Sequence, residues 1–143
     1  MTEALNIAKS IAKPFEGWSF KVYICPAGYP TIAWGHRCSK DHAPVTAEQG
    51  EIYLNSDMLK ALNGALRHCP GLISDNKKLG SIADFCFNLG VGRLQTYNLK
   101  RRINHGDWEE VIYELGRWIY GGGRKLPGLI RRRAAEAAFM ERG

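Results

Sequence analysis

A short segment rich in aromatic and β-branched residues, from 18 to 34, separates two parts of the chain that have helical periodicity. Pro26, Gly28 and Pro30 interrupt this segment, which predicts an antiparallel hairpin with its turn near 26–28. Residues that favour strands are concentrated in this one place, so the remainder is predicted to be helical. The pattern therefore indicates an α+β fold with a small sheet and a larger helical part.

Alternation along the first strand predicts which side chains share a face of the hairpin. Phe20, Val22 and Ile24 are expected to point to one side. Tyr23 and Cys25 are expected to point to the other.

Apolar residues recur at helical spacing before and after the hairpin. Pro14 is expected to end or turn the first helix, which places Glu16 at a helix end beside the hairpin. Thr46 and Gln49 form a capping-box pattern at the start of a long helix, which is expected to join two lobes. Its core-facing side is expected to carry four aliphatic residues, Ile52, Leu59, Leu62 and Leu66. The predicted helices cover residues 3–13, 46–66, 75–89, a short stretch ended by Gly106, 107–118 and 127–140, with a polar loop at 37–45 and a flexible break at 121–123.

Length and charge limit the class of protein and of partner. The chain has 143 residues, a size typical of one domain, and a net charge of +6 with a pI near 9.3. A basic protein favours an anionic partner such as nucleic acid, a membrane surface or a bacterial cell wall. No apolar run is long enough to span a membrane, and the first residues lack the profile of a secretory signal. We therefore expect the protein to stay in the cytoplasm until something releases it.

The four cysteines are spaced neither as a disulfide framework nor as a metal site. Cys69 and Cys86 are expected to pack as small apolar residues with free thiols. Cys25 and Cys38 lie in or near the predicted hairpin and form the pair in which a redox bridge would be tested.

Glu16 can supply part of the chemistry of a glycosidase, which needs a proton for the leaving oxygen and a second group at the anomeric carbon. It lies among Phe15, Trp18 and Phe20, and partial burial would favour the protonated carboxyl. Taken alone, a glutamate at a helix end is more often a solvated charge, and Thr31 is more simply a strand residue. The surrounding motif changes that interpretation.

The run E-G-x-x-x-K-x-Y-x-x-x-x-G-Y-x-T-I-x-x-G-H, from Glu16 to His36, resembles the phage lysozymes of glycoside hydrolase family twenty-four, the T-even phage type. The family motif has Glu, then Asp nine residues later, then Thr six residues further. Glu16 and Thr31 match this motif, and Cys25 occupies the Asp position. The resemblance continues with Phe87 to Gly90, and two segments nearer the C-terminus, Arg117-Trp118 and Gly128 to Glu136, resemble the lambdoid-phage branch.

The resemblance implies a two-lobed lysozyme fold without a metal or a cofactor. A small β lobe is expected at about 15–45, and a bridging helix with a helical lobe at 46–143. The implied activity is that of an endolysin, which hydrolyses the β-1,4 bond between N-acetylmuramic acid and N-acetylglucosamine in peptidoglycan. Glu16 would be the general acid, and Thr31 would help to hold the attacking water.

Cys25 leaves three interpretations open. Its thiolate could attack the anomeric carbon and form a covalent intermediate, which would change the stereochemical outcome to retention. It could act as a weak base for water, or it could be a packing residue in an enzyme that depends on Glu16 and Thr31. We favour a catalytic Cys25, and the sequence does not separate the first two roles.

The resemblance also suggests supporting residues. One arginine of the basic run 131–133 is expected to reach Glu16, and we choose Arg132. His36 is a candidate for a sugar contact or for a structural hydrogen bond behind the hairpin. Asn88 is a candidate for a sugar contact.

Two other classes of function fit parts of this pattern. A lytic transglycosylase needs a catalytic Glu but no second carboxylate, and it forms 1,6-anhydro-muramic ends. A non-catalytic basic module could bind nucleic acid or the cell wall without any use of Glu16. The favoured interpretation is a monomeric endolysin without a nucleic-acid partner or a stable membrane anchor. It would accumulate in the host cytoplasm and reach the periplasm or wall through holin lesions.

Overall fold

The computed structural model describes residues 2–141, with the side chain of Tyr97 excepted. Residues 1, 142 and 143, which the predicted domain also includes, lie outside this range. The helices are α1 (Thr2–Glu16), α2 (Ala47–His68), α3 (Asn76–Leu89), α4 (Val91–Leu94), α5 (Tyr97–His105), α6 (Trp108–Leu115) and α7 (Pro127–Glu141), with a short 3-10 helix at Pro70–Ser74. The strands are β1 (Ser19–Ile24), β2 (Pro30–Ala33), β3 (His36–Arg37), β4 (Tyr120–Gly121) and β5 (Arg124–Lys125).

Helix α1 is longer than the sequence predicted, because it continues through Pro14. A proline removes one backbone donor and disfavours helix in the residue before it. The buried side of α1 packs against α3, and this tertiary contact compensates for the weak local preference. The helix ends at Glu16, as predicted, since Gly17 has a φ of +73° and donates its N–H to the Lys13 carbonyl at 3.0 Å.

The predicted hairpin is confirmed, and the sheet has one strand more than expected. Strand β1 pairs antiparallel with β2, and the turn closes where the Cys25 N–H donates to the Tyr29 carbonyl at 3.0 Å. Strand β3 pairs with the other edge of β2, where the sequence predicted only the beginning of a loop. Ala33 and Gly35 both have positive φ in the tight turn between β2 and β3.

The predicted alternation along β1 is wrong in part. The register shifts between Ser19 and Tyr23, so the period of two does not run unbroken along the strand. Val22 packs against the small core of the sheet, whereas Phe20 and Ile24 are exposed.

Helix α2 starts at the predicted cap. The Thr46 hydroxyl accepts a hydrogen bond from the Gln49 N–H at 3.1 Å, which satisfies one of the free donors at the helix start. The Gln49 side chain donates to the Tyr53 hydroxyl instead of interacting with the backbone of Thr46. Only one of the two interactions of a capping box is therefore made. The helix ends at His68, two residues beyond the predicted end at 66.

The predicted buried stripe of α2 is wrong at two positions, since Ile52 is 64% exposed and Leu59 is 37% exposed. The prediction followed the largest aliphatic side chains. The helix instead buries a face that contains small residues, which allow close approach of neighbouring elements. That face carries Gly50, Leu54, Met58, Ala61, Leu62, Gly64 and Ala65.

Helix α3 is at the centre of the larger core. It packs against α1, α2 and α7, and every residue from 79 to 86 is buried. A second, small core of Ile32, Ala33 and Val45 lies at the sheet. Helix α2 contacts both α3 and β2, so it joins the two cores as a bridging helix. The arrangement confirms the predicted α+β fold.

Residues 120–125, between α6 and α7, form a second small sheet. The predicted flexible break at 121–123 is wrong, because β4 and β5 form a small hairpin there, with Gly122 and Gly123 at positive φ in its turn.

All four cysteines are free, and Cys69 and Cys86 are buried as predicted. Between residues 2 and 141, no helix has the length and apolar character needed to cross a membrane.

Candidate active site

The carboxyl of Glu16 lies where three elements meet. Its Oε2 accepts a hydrogen bond from Nη1 of Arg132 on α7 at 2.7 Å. The turn between β2 and β3 lies on another side, because a Cβ built on Gly35 would fall 2.9 Å from Cδ of Glu16. Gly35 also has a φ of +72°, so glycine suits both the backbone conformation and the close contact. The Glu16 side chain is 22% exposed, so the acid is held on two sides and open on a third.

Arg132 is buried behind Glu16 and is held by a second carboxylate. Its Nε and Nη2 donate to Oδ2 and Oδ1 of Asp84 on α3, at 2.9 and 2.7 Å. Asp84 is fully buried. The rings of Phe15 and Phe87 lie 5.5 and 5.9 Å from the guanidinium carbon. The arginine chosen from the basic run therefore contacts Glu16, while its tight partner Asp84 had not been predicted.

The Cys25 thiol lies at the start of the hairpin turn and is partly exposed. The backbone N–H of Tyr29 is the largest influence on it and lowers the pKa of Cys25. Partial desolvation raises that pKa, while the Thr31 hydroxyl and the N–H groups of Ala27 and Gly28 lower it. Together these influences lower the pKa of Cys25, so a larger fraction of this thiol is ionised at neutral pH than of an ordinary cysteine.

Thr31 is buried in β2, and its hydroxyl donates to the Tyr29 carbonyl at 2.8 Å. The same hydroxyl interacts with the Cys25 thiol, so its single proton serves one partner at a time. Tyr23 is the register partner of Thr31 and lies close to both other motif residues. Burial, then the charge of Glu16, then that of Cys25 raise the pKa of Tyr23. The three motif residues are therefore grouped around one tyrosine.

His36 was a candidate for a sugar contact or for a structural hydrogen bond, and the structure shows a hydrogen bond of the structural kind. Its Nδ1 lies 2.7 Å from Oδ2 of Asp57 on α2, and its ring stacks on Tyr53 with centroids 4.2 Å apart. These contacts attach the end of the sheet to the bridging helix. Asn88 is also engaged, since its Oδ1 accepts a hydrogen bond from Nη2 of Arg133 at 2.8 Å. A sugar contact for either residue stays a prediction.

Sequence reasoning missed Asp84, Gly35 and Tyr23 as members of the site. Asp84 could have been noticed, because a carboxylate within an apolar helical run needs a buried cation. Gly35 belongs to the Gly-His pair of the motif, but its contact with Glu16 depends on how two distant elements meet. Tyr23 was placed on the same side of the strand as Cys25, and no role was drawn from that placement.

Comparison with known proteins points to one family. The family model for phage lysozyme matches residues 13–136. The chain belongs to the phage lysozyme family. Among curated relatives of this phage lysozyme, an endolysin of Acyrthosiphon pisum secondary endosymbiont phage 1 is 31% identical over 136 residues, which cover 92% of each chain.

Solved structures of other lysozymes have the same fold. The active form of the endolysin Lyz from phage P1 has a TM-score of 0.81 at 22% identity, and the match covers 93% of this chain and 82% of that one. The muramidase domain of SpmX from Asticaccaulis excentricus has a TM-score of 0.77 at 26% identity, and the match covers 95% and 92%. The predicted resemblance and the lysozyme-like fold are confirmed. As a phage lysozyme, the chain is a lytic, peptidoglycan-cleaving glycosidase.

Proposed function

We propose that this phage lysozyme is an endolysin that hydrolyses the β-1,4 bond between N-acetylmuramic acid and N-acetylglucosamine, with Glu16 as general acid. The observation that carries the proposal is the placement of Glu16. It is fixed by Arg132 and Gly35, partly open to solvent, and close to Tyr23, beside which Cys25 and Thr31 lie. One acid opposite a second polar group is the arrangement that glycoside hydrolysis requires.

In the proposed reaction, Glu16 gives its proton to the glycosidic oxygen as the bond to the anomeric carbon breaks. Cys25 acts on the other side, in one of two roles. As a base it takes a proton from water, which attacks the carbon and inverts its configuration. As a nucleophile its sulfur bonds to the carbon while the glycosidic bond breaks; water then attacks that carbon, gives its proton to the Glu16 carboxylate and releases the thiolate, with net retention. The lowered pKa of Cys25 supports both roles, because each one needs the thiolate.

Substitution at the two proposed catalytic positions tests the mechanism on purified peptidoglycan. We expect Glu16→Gln to lose nearly all release of reducing ends, because the amide cannot donate the proton. We expect Cys25→Ser to lose most activity and Cys25→Asp to keep it. Full activity in Cys25→Ser would exclude the catalytic role of the thiol. The configuration of the first product, read by NMR, separates a base from a nucleophile.

A lytic transglycosylase is the second candidate, and the thiol at position 25 favours it, since that reaction needs no carboxylate there. Mass spectrometry of the products distinguishes the two. Reducing muramic ends support the hydrolase, and 1,6-anhydro ends support the transglycosylase. A non-catalytic basic module is a third case, in which Glu16→Gln would lyse cells as well as the parent protein does.

We also propose that the enzyme accumulates in the host cytoplasm and reaches the wall through holin lesions. The net charge of +6 supports binding to an anionic wall. Lysis that needs co-expression of a holin would support this route. Lysis by the endolysin alone would contradict it.

A further inference from the structure

Asp84 forms the buried end of a chain of charges that begins at the proposed acid. It accepts two hydrogen bonds from Arg132, and the remaining guanidinium nitrogen, Nη1, donates to Glu16. Asp84 is fully buried, and each of its two oxygens accepts one hydrogen bond from the guanidinium, which makes the contact bidentate. The direction of the third nitrogen is therefore set by Asp84, which does not itself touch Glu16 in the described contacts.

A second buried carboxyl group, Glu136, lies beside Asp84 and pairs with another arginine, since its Oε1 lies 2.7 Å from Nε of Arg133. Glu136 is fully buried one turn after Arg132, and burial raises the pKa of Glu136 well above its ordinary value. A hydrogen bond with Asp84 raises that pKa further, against the effect of Arg133. Both oxygens of Asp84 face Arg132, so Asp84 is the carboxylate that pairs with this guanidinium.

Arg132 and Asp84 have opposite electrostatic effects on Glu16. A guanidinium at 2.7 Å strongly favours the ionised form of a carboxyl group, yet a general acid must hold a proton. An anion on the far side of the same guanidinium opposes that effect. In a site with little water, such an anion acts more strongly than it would at the surface.

We propose that Asp84 is a positioning residue for Glu16, which aims Arg132 at the acid and offsets the charge of its guanidinium so that Glu16 can hold a proton. This inference rests on the proposed function of Glu16. The other titratable groups on the elements that surround this chain of charges are Tyr23 on β1, Cys25 in the turn, Cys86 on α3, and Arg133 and Glu136 on α7. Lys9 and Lys13 on α1 both pair with Glu51 on α2.

The test is an isosteric change, Asp84→Asn, read by titration of the Glu16 side chain with ¹³C NMR. We expect the midpoint of its ionisation to move about one pH unit lower, because the offsetting anion is lost. The rate constant for peptidoglycan cleavage at neutral pH should fall roughly tenfold, with little change in KM, since the protonated fraction falls. Ser81→Ala is the matched control, because Ser81 is also fully buried on α3 and donates to the Lys77 carbonyl, away from the chain of charges.

A double variant, Asp84→Asn with Arg132→Met, separates charge from packing. It removes both charges at once, which buried pairs tolerate better than the loss of one. We expect its ionisation midpoint at or above that of the parent protein. A midpoint that is unchanged in Asp84→Asn, or is equally lowered in the double variant, would overturn the proposal. If Asp84→Asn does not fold, the double variant is compared with Arg132→Met, in which the Asp84 charge remains and should raise the midpoint further; equal midpoints in these two variants would overturn the proposal. Glu16→Gln with full activity would instead overturn the proposed function.

Discussion

The site combines two regions that hold their polar groups in opposite ways. Around the hairpin turn, Cys25 and Thr31 are positioned by backbone N–H and carbonyl groups at the edge of the solvent. Behind Glu16, Arg132 and Asp84 are held by each other in a region that excludes water. Local backbone geometry defines the first region. Long-range ion pairing defines the second, and the predictions below test this difference.

Loss of the buried cation should have the largest effect. Arg132→Met leaves Asp84 buried without its partner, which we expect to lower the free energy of unfolding by about 3–5 kcal/mol. Urea unfolding measures this change. Arg131→Met is the control, because Arg131 is exposed and its removal should cost less than about 0.5 kcal/mol. Equal losses in the two variants would show that burial of Arg132 does not matter.

The contact between the two regions should have the next largest effect. Gly35→Ala places a methyl group against the Glu16 carboxyl, and we expect cleavage to fall by up to about a hundredfold as the acid is displaced. Gly106→Ala has almost the same backbone, with φ of +74° against +72°, but its nearest atom would be 4.0 Å away. It should lose a similar amount of stability and keep its activity. A fall in the activity of both variants would point to general strain.

Reactivity of the hairpin thiol should show a smaller difference. Iodoacetamide should alkylate Cys25 roughly tenfold faster than Cys38 near neutral pH, because the turn lowers the pKa of Cys25 while burial raises that of Cys38. Burial also raises the pKa of Cys69 to about 11 and that of Cys86 to about 12, so these two should stay unmodified in the folded protein. Peptide mapping over a range of pH measures each rate. The midpoint for Cys25 should lie below that for Cys38, and the reverse order would contradict the role of the turn.

The surface ion pairs between α1 and α2 should have the smallest effect. Glu51 lies near Lys13 and Lys9, and a hydrogen bond from Lys13 lowers the pKa of Glu51 against desolvation. A lowered pKa in the folded state contributes stability above the unfolded value, and this contribution is lost as pH falls through the folded value. Because Glu51 is 35% exposed, Glu51→Gln should cost less than about 1 kcal/mol at neutral pH. Thermal unfolding should show no difference between the proteins at acidic pH. A difference that persists there would mean that packing, not charge, is responsible.

The same contrast explains what the sequence could predict. Cys25 and Thr31 lie in one hairpin, and Glu16 ends the helix directly before it, so a short spacing along the chain predicted both the turn and the motif. Asp84 and Arg132 are 48 residues apart, and no local period links them. A resemblance to a family suggested an arginine, but only the packing of α3 against α7 shows which carboxylate aligns it.

Helix and strand positions followed local preference except where tertiary packing outweighed it. Pro14 was expected to end α1, and packing against α3 carried the helix through it. Ile52 was expected in the core, and the small residues of α2 formed the buried face instead. A long helix that contacts two lobes buries the side chains that face those lobes. Neither side-chain size nor local helix propensity predicts which side chains these are.

The ion pair between Glu16 and Arg132 also has a consequence for the order of events during synthesis. The two residues are 116 positions apart, and the arginine lies on α7, the last helix to leave the ribosome among those described. Until α7 packs, Asp84 has no cation and the acid has no fixed direction. We therefore expect a nascent chain to be inert until this helix docks, and to gain lytic competence only then.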